Sequence, residues 1–345
     1  MAAISPAATG VARTRKHVAT APVEKQQVSL NLFGMPLGLT GLAGCWSAAV
    51  TALHAPTWPS DVLFGAGAIL WLILTALYVG SGARRTGMFQ ADLKHPLSGP
   101  FAAYIPLIGI LLAAHYSVLY PAVGAWVCTI CIVFLAIVAA RLFAHWVAGG
   151  VPLDAVHPGY FVPVVAGANV ASIGFSSIGA HDAALAAFGA GLFFWLMIGT
   201  VVLIRLMMGD HLPDPLKPAM TAFLAAAATS NLAWLIAHPG GLDEVQHVLI
   251  GVLVFMLIVQ VILISEYRKL SFGPSWWIFT FPMASTANFS IHWAAASTVQ
   301  GWPIYAWAAL GMVTTFVLFV GTRTVVSALS PSGRNRRVGK ALATG

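Results

Sequence analysis

Residues 276 to 298 read WWIFTFPMASTANFSIHWAAAST, and this stretch decides how the rest of the chain is read. It has the length of one membrane crossing and holds no Lys, Arg, Asp or Glu. It also carries Pro282 and a polar run, Ser285, Thr286, Asn288 and Ser290. A helix facing lipid on every side has no use for those residues. Proline removes one backbone donor and deprives the carbonyl four residues back, that of Ile278, of its helical partner. In hydrocarbon such a group must be satisfied again by protein or water. The stretch therefore predicts a helix that faces a central cavity, with Phe281 beside its weak point.

Composition agrees. The 345 residues are 59% hydrophobic and 8% charged, with a mean hydropathy of +0.85, which excludes a soluble domain and requires several spans. In that setting a net charge of +7 concerns the two sides of the membrane and implies no nucleic-acid partner. Of the three cysteines, Cys128 and Cys131 have a C-x-x-C spacing but lie mid-span with no flanking His, so they read as small packing residues, and Cys45 stands alone. Residues 1–28 hold basic residues but no apolar run, and read as a disordered cytoplasmic tail.

Ten apolar segments follow, at about 29–53, 61–81, 100–116, 121–146, 159–179, 183–207, 215–238, 245–267, 275–297 and 302–328. The turns after odd segments are short and those after even segments are longer and basic, which pairs the segments as five hairpins. On this scheme all 17 Lys and Arg fall in the tails or on the even-to-odd side, while Asp61, Asp182, Asp243 and Glu244 fall on the other. The asymmetry predicts a multi-pass plasma membrane protein, bacterial inner membrane in type, with both termini cytoplasmic and a basic tail at 329–345.

A repeat underlies the hydropathy. Each odd segment has a proline in its first third, namely Pro36, Pro106, Pro163, Pro218 and Pro282, and each even segment ends at an arginine, namely Arg84, Arg141, Arg205, Arg268 and Arg323. Prolines tolerated in first turns and arginines marking cytoplasmic ends account for part of this pattern. The odd segments also hold the small and polar residues, among them Thr40, Asn169, Ser230, Asn231, Ser285 and Asn288, whereas the even ones are plain apolar bulk. An all-α membrane protein is expected, with ten helices as five hairpins: an inner ring of odd helices around a pore and an outer ring in lipid. The prolines kink the inner helices and the six polar side chains are the candidate pore-facing groups.

No span carries an acidic or basic residue at its middle, where a proton-coupled transporter usually needs one. His115 and His292 lie near the outer ends of their helices and read as packing residues. No in-span pair of His or acidic residues has the spacing of a metal site, so neither metal, cofactor nor catalytic residue is expected. Five inner helices would turn their partly positive N-termini to the basic face, which favours anions over cations. From the residues alone Phe281 either closes a narrow pore or packs against a neighbouring helix.

The run SWWIFTFPMAST at 275–286, with NLFGMPLGLTGLAGCW at 31–46, HPGYFVPVVAGANVAS at 157–172 and LPDPLKPAMTAFLAAAATSNLAW at 212–234, resembles the tellurite-resistance and C4-dicarboxylate transporter family. That family includes bacterial TehA proteins, fungal malate and sulfite transporters and the plant slow anion channels. The resemblance covers residues 29–328. It implies ten helices in five hairpins, usually as a homotrimer, passing small inorganic or carboxylate anions through a central pore. The family's occluding phenylalanine falls on Phe281, with Phe279 two residues away as the other choice. The plant members' long regulated tails have no counterpart in the short N-terminal stretch. The expected function is passive passage of small anions; the alternative is a gradient-coupled transporter or exporter of C4-dicarboxylate, sulfite or tellurite-like oxyanions.

Overall fold

Each apolar segment winds into a helix in the computed structural model, which describes residues 28 to 330; the two expected tails lie outside them except for their innermost residues. Residues up to Val326 form one compact unit. The helices are α1 (Gly34–Leu53), α2 (Trp58–Ala83), α3 (Met88–Lys94), α4 (Tyr104–Tyr116), α5 (Pro121–Val147), α6 (Gly167–Ser177), α7 (His181–Met208), α8 (Ala222–Ala237), α9 (Glu244–Tyr267), α10 (Thr280–Ala296) and α11 (Trp302–Leu329). No strand occurs among the described residues. The short α3 was not expected; it fills the basic loop after α2, where the Tyr78 hydroxyl donates to Asp92 at 3.0 Å.

Among the described residues, nine helices are long and apolar enough to cross a membrane. The tenth expected segment is helical from Pro274 through Ala296 but is not one of the nine, because the polar run that singled it out also lowers its hydropathy. It nonetheless closes the inner ring: α1 packs on α4, α4 on α6, α6 on α8, α8 on α10, and α10 back on α1. Helices α2, α5, α7 and α9 each pack outside the inner helix that precedes them. Helix α11 shares an apolar cluster with α10 through Ala306, Leu310 and Val313, and Thr324 accepts a 2.9 Å bond from the Trp277 indole. Burial separates the rings. Within the most apolar window of Gly99–Tyr116, 78% of residues are buried, against 11% for Glu244–Tyr267.

The prolines act differently from the simple kink expected of them. Every inner helix is preceded by an irregular turn: 3₁₀ at Leu30–Phe33, Gly99–Ala103, Asp214–Thr221 and Pro274–Phe279, and at the third inner helix a 3₁₀ turn, Pro158–Tyr160, followed by a π-turn, Val162–Ala166. Pro36, Pro106 and Pro282 are the third residue of their α-helices, while Pro163 and Pro218 lie inside the π- and 3₁₀-turns. At these junctions the α hydrogen-bond ladder has not yet begun, so a missing donor costs little. Hydroxyl groups then bond the prolines' own carbonyls: Thr40 to Pro36 at 2.9 Å, Thr221 to Pro218 at 2.7 Å, and Ser285 and Thr286 to Pro282 at 3.1 and 2.8 Å.

Glycine sets the tightest contact in the ring, that of α1 with α10. A Cβ on Gly38 would lie 2.0 Å from Thr280 Oγ1 and 2.8 Å from Thr280 Cβ, and one on Gly41 would lie 3.0 Å from the Ala284 methyl. Cys45 donates its thiol proton to the Ala284 carbonyl at 3.0 Å across the same seam. Cys128 and Cys131 on α5 pack the same way, their sulfurs 3.0 and 2.6 Å from where a Cβ would stand on Gly174 and Gly109. Small residues thus let backbones approach where apolar association gains nothing from water.

At the basic end, two residues preceding α6 hold the loop before α4. The fully buried His157 accepts from the Gly159 amide at Nδ1, which leaves Nε2 protonated to donate to the Leu97 carbonyl at 3.1 Å. The Tyr160 hydroxyl donates to the Pro96 carbonyl at 2.9 Å. Burial, opposed by the Leu97 contact, lowers the imidazole from its ordinary 6.5 to about 4.

Two predictions follow from these contacts. Between pH 6.5 and about 4 the unfolded chain binds a proton at His157 more readily than the folded one, so the stability tied to its neutral form is complete above 6.5 and is lost as pH falls toward 4. In detergent, the melting temperature of wild type falls over that window, and His157→Asn, which keeps an acceptor for Gly159, shows a shallower slope; identical slopes refute the role. Gly38→Ala forces α1 away from Thr280 and lowers stability by about 1–3 kcal/mol, measured as loss of thermal resistance of the purified protein.

Candidate pore

Two cavities lie inside the ring; all five inner helices contribute to the second, and all five to the first when their leading turns are counted, α6 through Gly159 to Ala166 alone. The first, of about 30 Å³, is on the basic side and is walled by Phe101, Tyr104, Phe161, Trp277 and Phe281 with smaller residues between them. The second, of about 60 Å³, is lined by Thr40, Gly41, Gly44, Thr229, Ser285 and Asn288 together with apolar side chains, including Phe64 from α2. Each has room for a few waters at most. One residue belongs to both linings, Phe281.

The ring's position follows from its neighbours. Phe281 is 8% exposed, and a Cβ on Gly41 would stand 3.2 Å from its Cδ2, so the bare glycine backbone forms the wall against which the ring rests. Phe279 points elsewhere. It packs edge-on against Tyr267 at 4.9 Å, Trp276 at 5.8 Å and Phe316 at 6.5 Å, in an aromatic cluster between α9, α10 and α11. The two-residue spacing places the rings on different sides of the helix, about 200° apart.

The six expected polar groups divide in two. Thr40, Ser285 and Asn288 line the second cavity, joined there by Thr229. Asn169, Ser230 and Asn231 line neither cavity. Asn169 donates to Thr229 and Ser230 at 3.1 and 2.9 Å, joining α6 to α8, and its other side abuts Gly191 of α7. Asn231 donates to the Leu249 carbonyl at 2.9 Å and accepts from Gln246 at 2.7 Å, joining α8 to α9. In hydrocarbon these amides serve as fasteners between helices. Of the five prolines, Pro282 lines the first cavity, whereas Pro163 faces outward.

The second cavity is polar without offering a firm grip. Thr40, Thr229 and Ser285 all donate their hydroxyl protons to backbone carbonyls of their own helices, and the Thr229 oxygen also accepts from Asn169. The Asn288 side-chain oxygen is buried without a partner. No charged side chain is among the residues lining either cavity. His115 stands just behind the second one, stacked on Phe64 with ring centroids 3.8 Å apart. His157 and Tyr160 frame the approach to the first, since Gly159 and Phe101, both in contact with His157, are in its wall.

The sequence reading missed the aromatic wall of the first cavity. Phe101, Tyr104 and Phe161 look like core residues in an apolar run, and the signal that was present lies in register: Phe101 and Phe161 come shortly before Pro106 and Pro163, in the repeated turn that also holds Trp277 before Pro282.

Known proteins share this sequence pattern. Residues 27–325 match the profile of the family described as voltage-dependent anion channel, SLAC1. The tellurite resistance protein TehA homolog of Haemophilus influenzae is 25% identical over 277 residues, covering 79% of this chain and 84% of that protein. The S-type anion channel SLAH3 of Arabidopsis thaliana is 25% identical over 312 residues, 85% of this chain but 47% of the plant protein, so the chain spans about half of that relative. The guard cell S-type anion channel SLAC1 of the same plant is 28% identical over 188 residues, 53% of this chain and 33% of that protein. With a profile match over most of its length and an all-helical, multi-pass membrane fold, the chain belongs to the SLAC1 voltage-dependent anion channel family.

Proposed function

We propose that the protein passes small inorganic or carboxylate anions passively through the centre of the five-helix ring, and that Phe281 occludes the path. The observation that supports this reading is that Phe281 is the residue common to the linings of two cavities inside the same ring of helices. A hydrophobic plug between narrow spaces blocks conduction both sterically and by keeping the constriction dry, and a change of side-chain rotamer opens it.

The kind of ion follows from electrostatics. Arg84, Arg141, Arg205, Arg268 and Arg323 all lie within about two turns of the outer-helix C-termini, on the side where the inner helices start; Arg205 is buried there on the Asp154 and Asp210 carbonyls, and the others add positive charge to that of the helix N-termini. That end is cytoplasmic by the positive-inside rule, which places both termini there. Beyond that end, an uncharged path whose hydroxyl protons are already engaged favours transit over capture. The relatives named as anion channels support the same reading, and selectivity would then rest on width and weak polar contacts. A homotrimer in a bacterial inner membrane is the assembly the family resemblance implies.

In planar bilayers with an anion gradient, current through the wild-type protein reverses near the anion equilibrium potential, and Phe281→Ala raises it on the order of tenfold or more by joining the cavities. Gly41→Ala pushes a methyl toward the ring and raises current to a smaller degree. Since both changes act on one contact, the double variant conducts no more than Phe281→Ala alone. Reversal that follows a proton gradient, with saturable flux abolished by replacing His115 or His292, would instead establish a coupled exporter of dicarboxylate, sulfite or tellurite-like oxyanions. Unchanged current in Phe281→Ala refutes the occlusion.

A further inference from the structure

On the outside of the bundle, α5, α7 and the start of α6 enclose a groove of about 680 Å³. Its walls are small side chains, with Ala136, Ala140 and Ala144 on α5 facing Ala187 and Ala190 on α7. The floor is Pro163, Val164 and Gly167, the π-turn of the third inner helix and its cap. The walls meet where Phe143 and Phe194 stack edge to face at 5.1 Å. We propose that this groove binds one acyl chain of a bilayer lipid, seated directly behind the wall of the central cavity.

Depth, width and chemistry agree on that occupant. Both walls belong to helices apolar enough to cross the membrane, and the lining is Ala, Gly, Pro, Val, Leu, Ile and Phe throughout, so the groove opens to hydrocarbon and offers nothing to a polar ligand. Along α5 the lining runs from Ile132 to Val147, about 22 Å at 1.5 Å per residue. The whole empty space of the groove, about 1300 Å³, gives over that length a mean cross-section of about 60 Å². A polymethylene chain, whose carbons contact neighbours at about 4 Å, fits such a channel. An α-helix with its side chains is about 10 Å across and needs about 80 Å², so a helix from a second copy can lie over the groove but not within it.

The floor gives the site a consequence. Pro163 and Val164 face the groove, while Val162 and Ala166 of the same π-turn line the first cavity. The partition is a single turn of backbone already out of α register. A chain lying against it limits how far the turn can move outward, and therefore how wide the first cavity becomes. This coupling rests on the pore reading above; occupancy of the groove does not.

The test reconstitutes the full chain in phosphatidylcholine–phosphatidylglycerol vesicles carrying a trace of phosphatidylcholine with a photoactivatable diazirine on its acyl chain. Adducts are mapped by peptide mass spectrometry. Labelling is expected to concentrate on residues 132–147 and 163–171, above the level on the lipid-facing side of α9. Ala140→Phe and Ala187→Phe, which fill the groove from opposite walls, each reduce it by at least about fourfold, the loss from excluding one methylene, and leave α9 labelling unchanged. Two wall variants guard against one that fails to reconstitute. Groove labelling no higher than on α9, or unchanged in both variants, overturns the proposal. So does a disulfide between Ala140→Cys copies with the groove unlabelled, which would assign the face to a subunit contact. Because adducts are read without any anion flux, a non-conducting protein leaves this result interpretable.

Discussion

Hydrocarbon offers no partner to an unpaired backbone group, and five prolines in the inner helices place that constraint at the centre of this structure. The fold meets it by position. The prolines sit where a 3₁₀- or π-turn gives way to α-helix, so the absent donors fall outside the regular ladder. Thr40, Thr221, Ser285 and Thr286 satisfy their own hydroxyl protons on the proline carbonyls, so these polar side chains need no further partner. The inner helices keep irregular, aromatic-rich beginnings on the basic side and regular, small-residue remainders beyond. The two unlike cavities are the direct result: one walled by rings from the leading turns, the other by hydroxyls and glycines one to two turns later.

A second constraint fixes where Phe281, common to both linings, comes to rest. Without a hydrophobic driving force between helices in lipid, close packing depends on small residues. The glycines of α1 let α10 approach until Phe281 rests on the Gly41 backbone, and the same seam holds Thr280 against Gly38 and Cys45 against the Ala284 carbonyl. The ring therefore rests against bare backbone on the α1 side, and its residue lines both cavities.

The reversal concerning the asparagines follows from the same physics. Asn169 and Asn231 were expected to face a pore because they are polar and lie in small-residue helices, but a polar group in a membrane bundle has two ways to be satisfied. Here both amides reach across to neighbouring helices, at Thr229 and Ser230 and at Leu249 and Gln246. Which way a polar side chain is satisfied depends on its angle around the helix axis, and a turn of irregular backbone upstream, such as Val162–Ala166, shifts that angle. Thr40, Ser285 and Asn288 instead line the second cavity from α1 and α10.

The sequence by itself determined the membrane class, the helical segments, the sidedness of charge and the division into small-residue inner and bulky outer helices. Each of these depends on local quantities, namely hydropathy over about 20 residues, loop charge and proline period. That Phe281 and not Phe279 lines the cavities, that Asn169, Ser230 and Asn231 tie helices together, and the groove behind the π-turn were left to the tertiary structure. They depend on rotation about helix axes and on the distance between helices far apart in sequence, as between Gly41 and Phe281, and no local pattern specifies such distances.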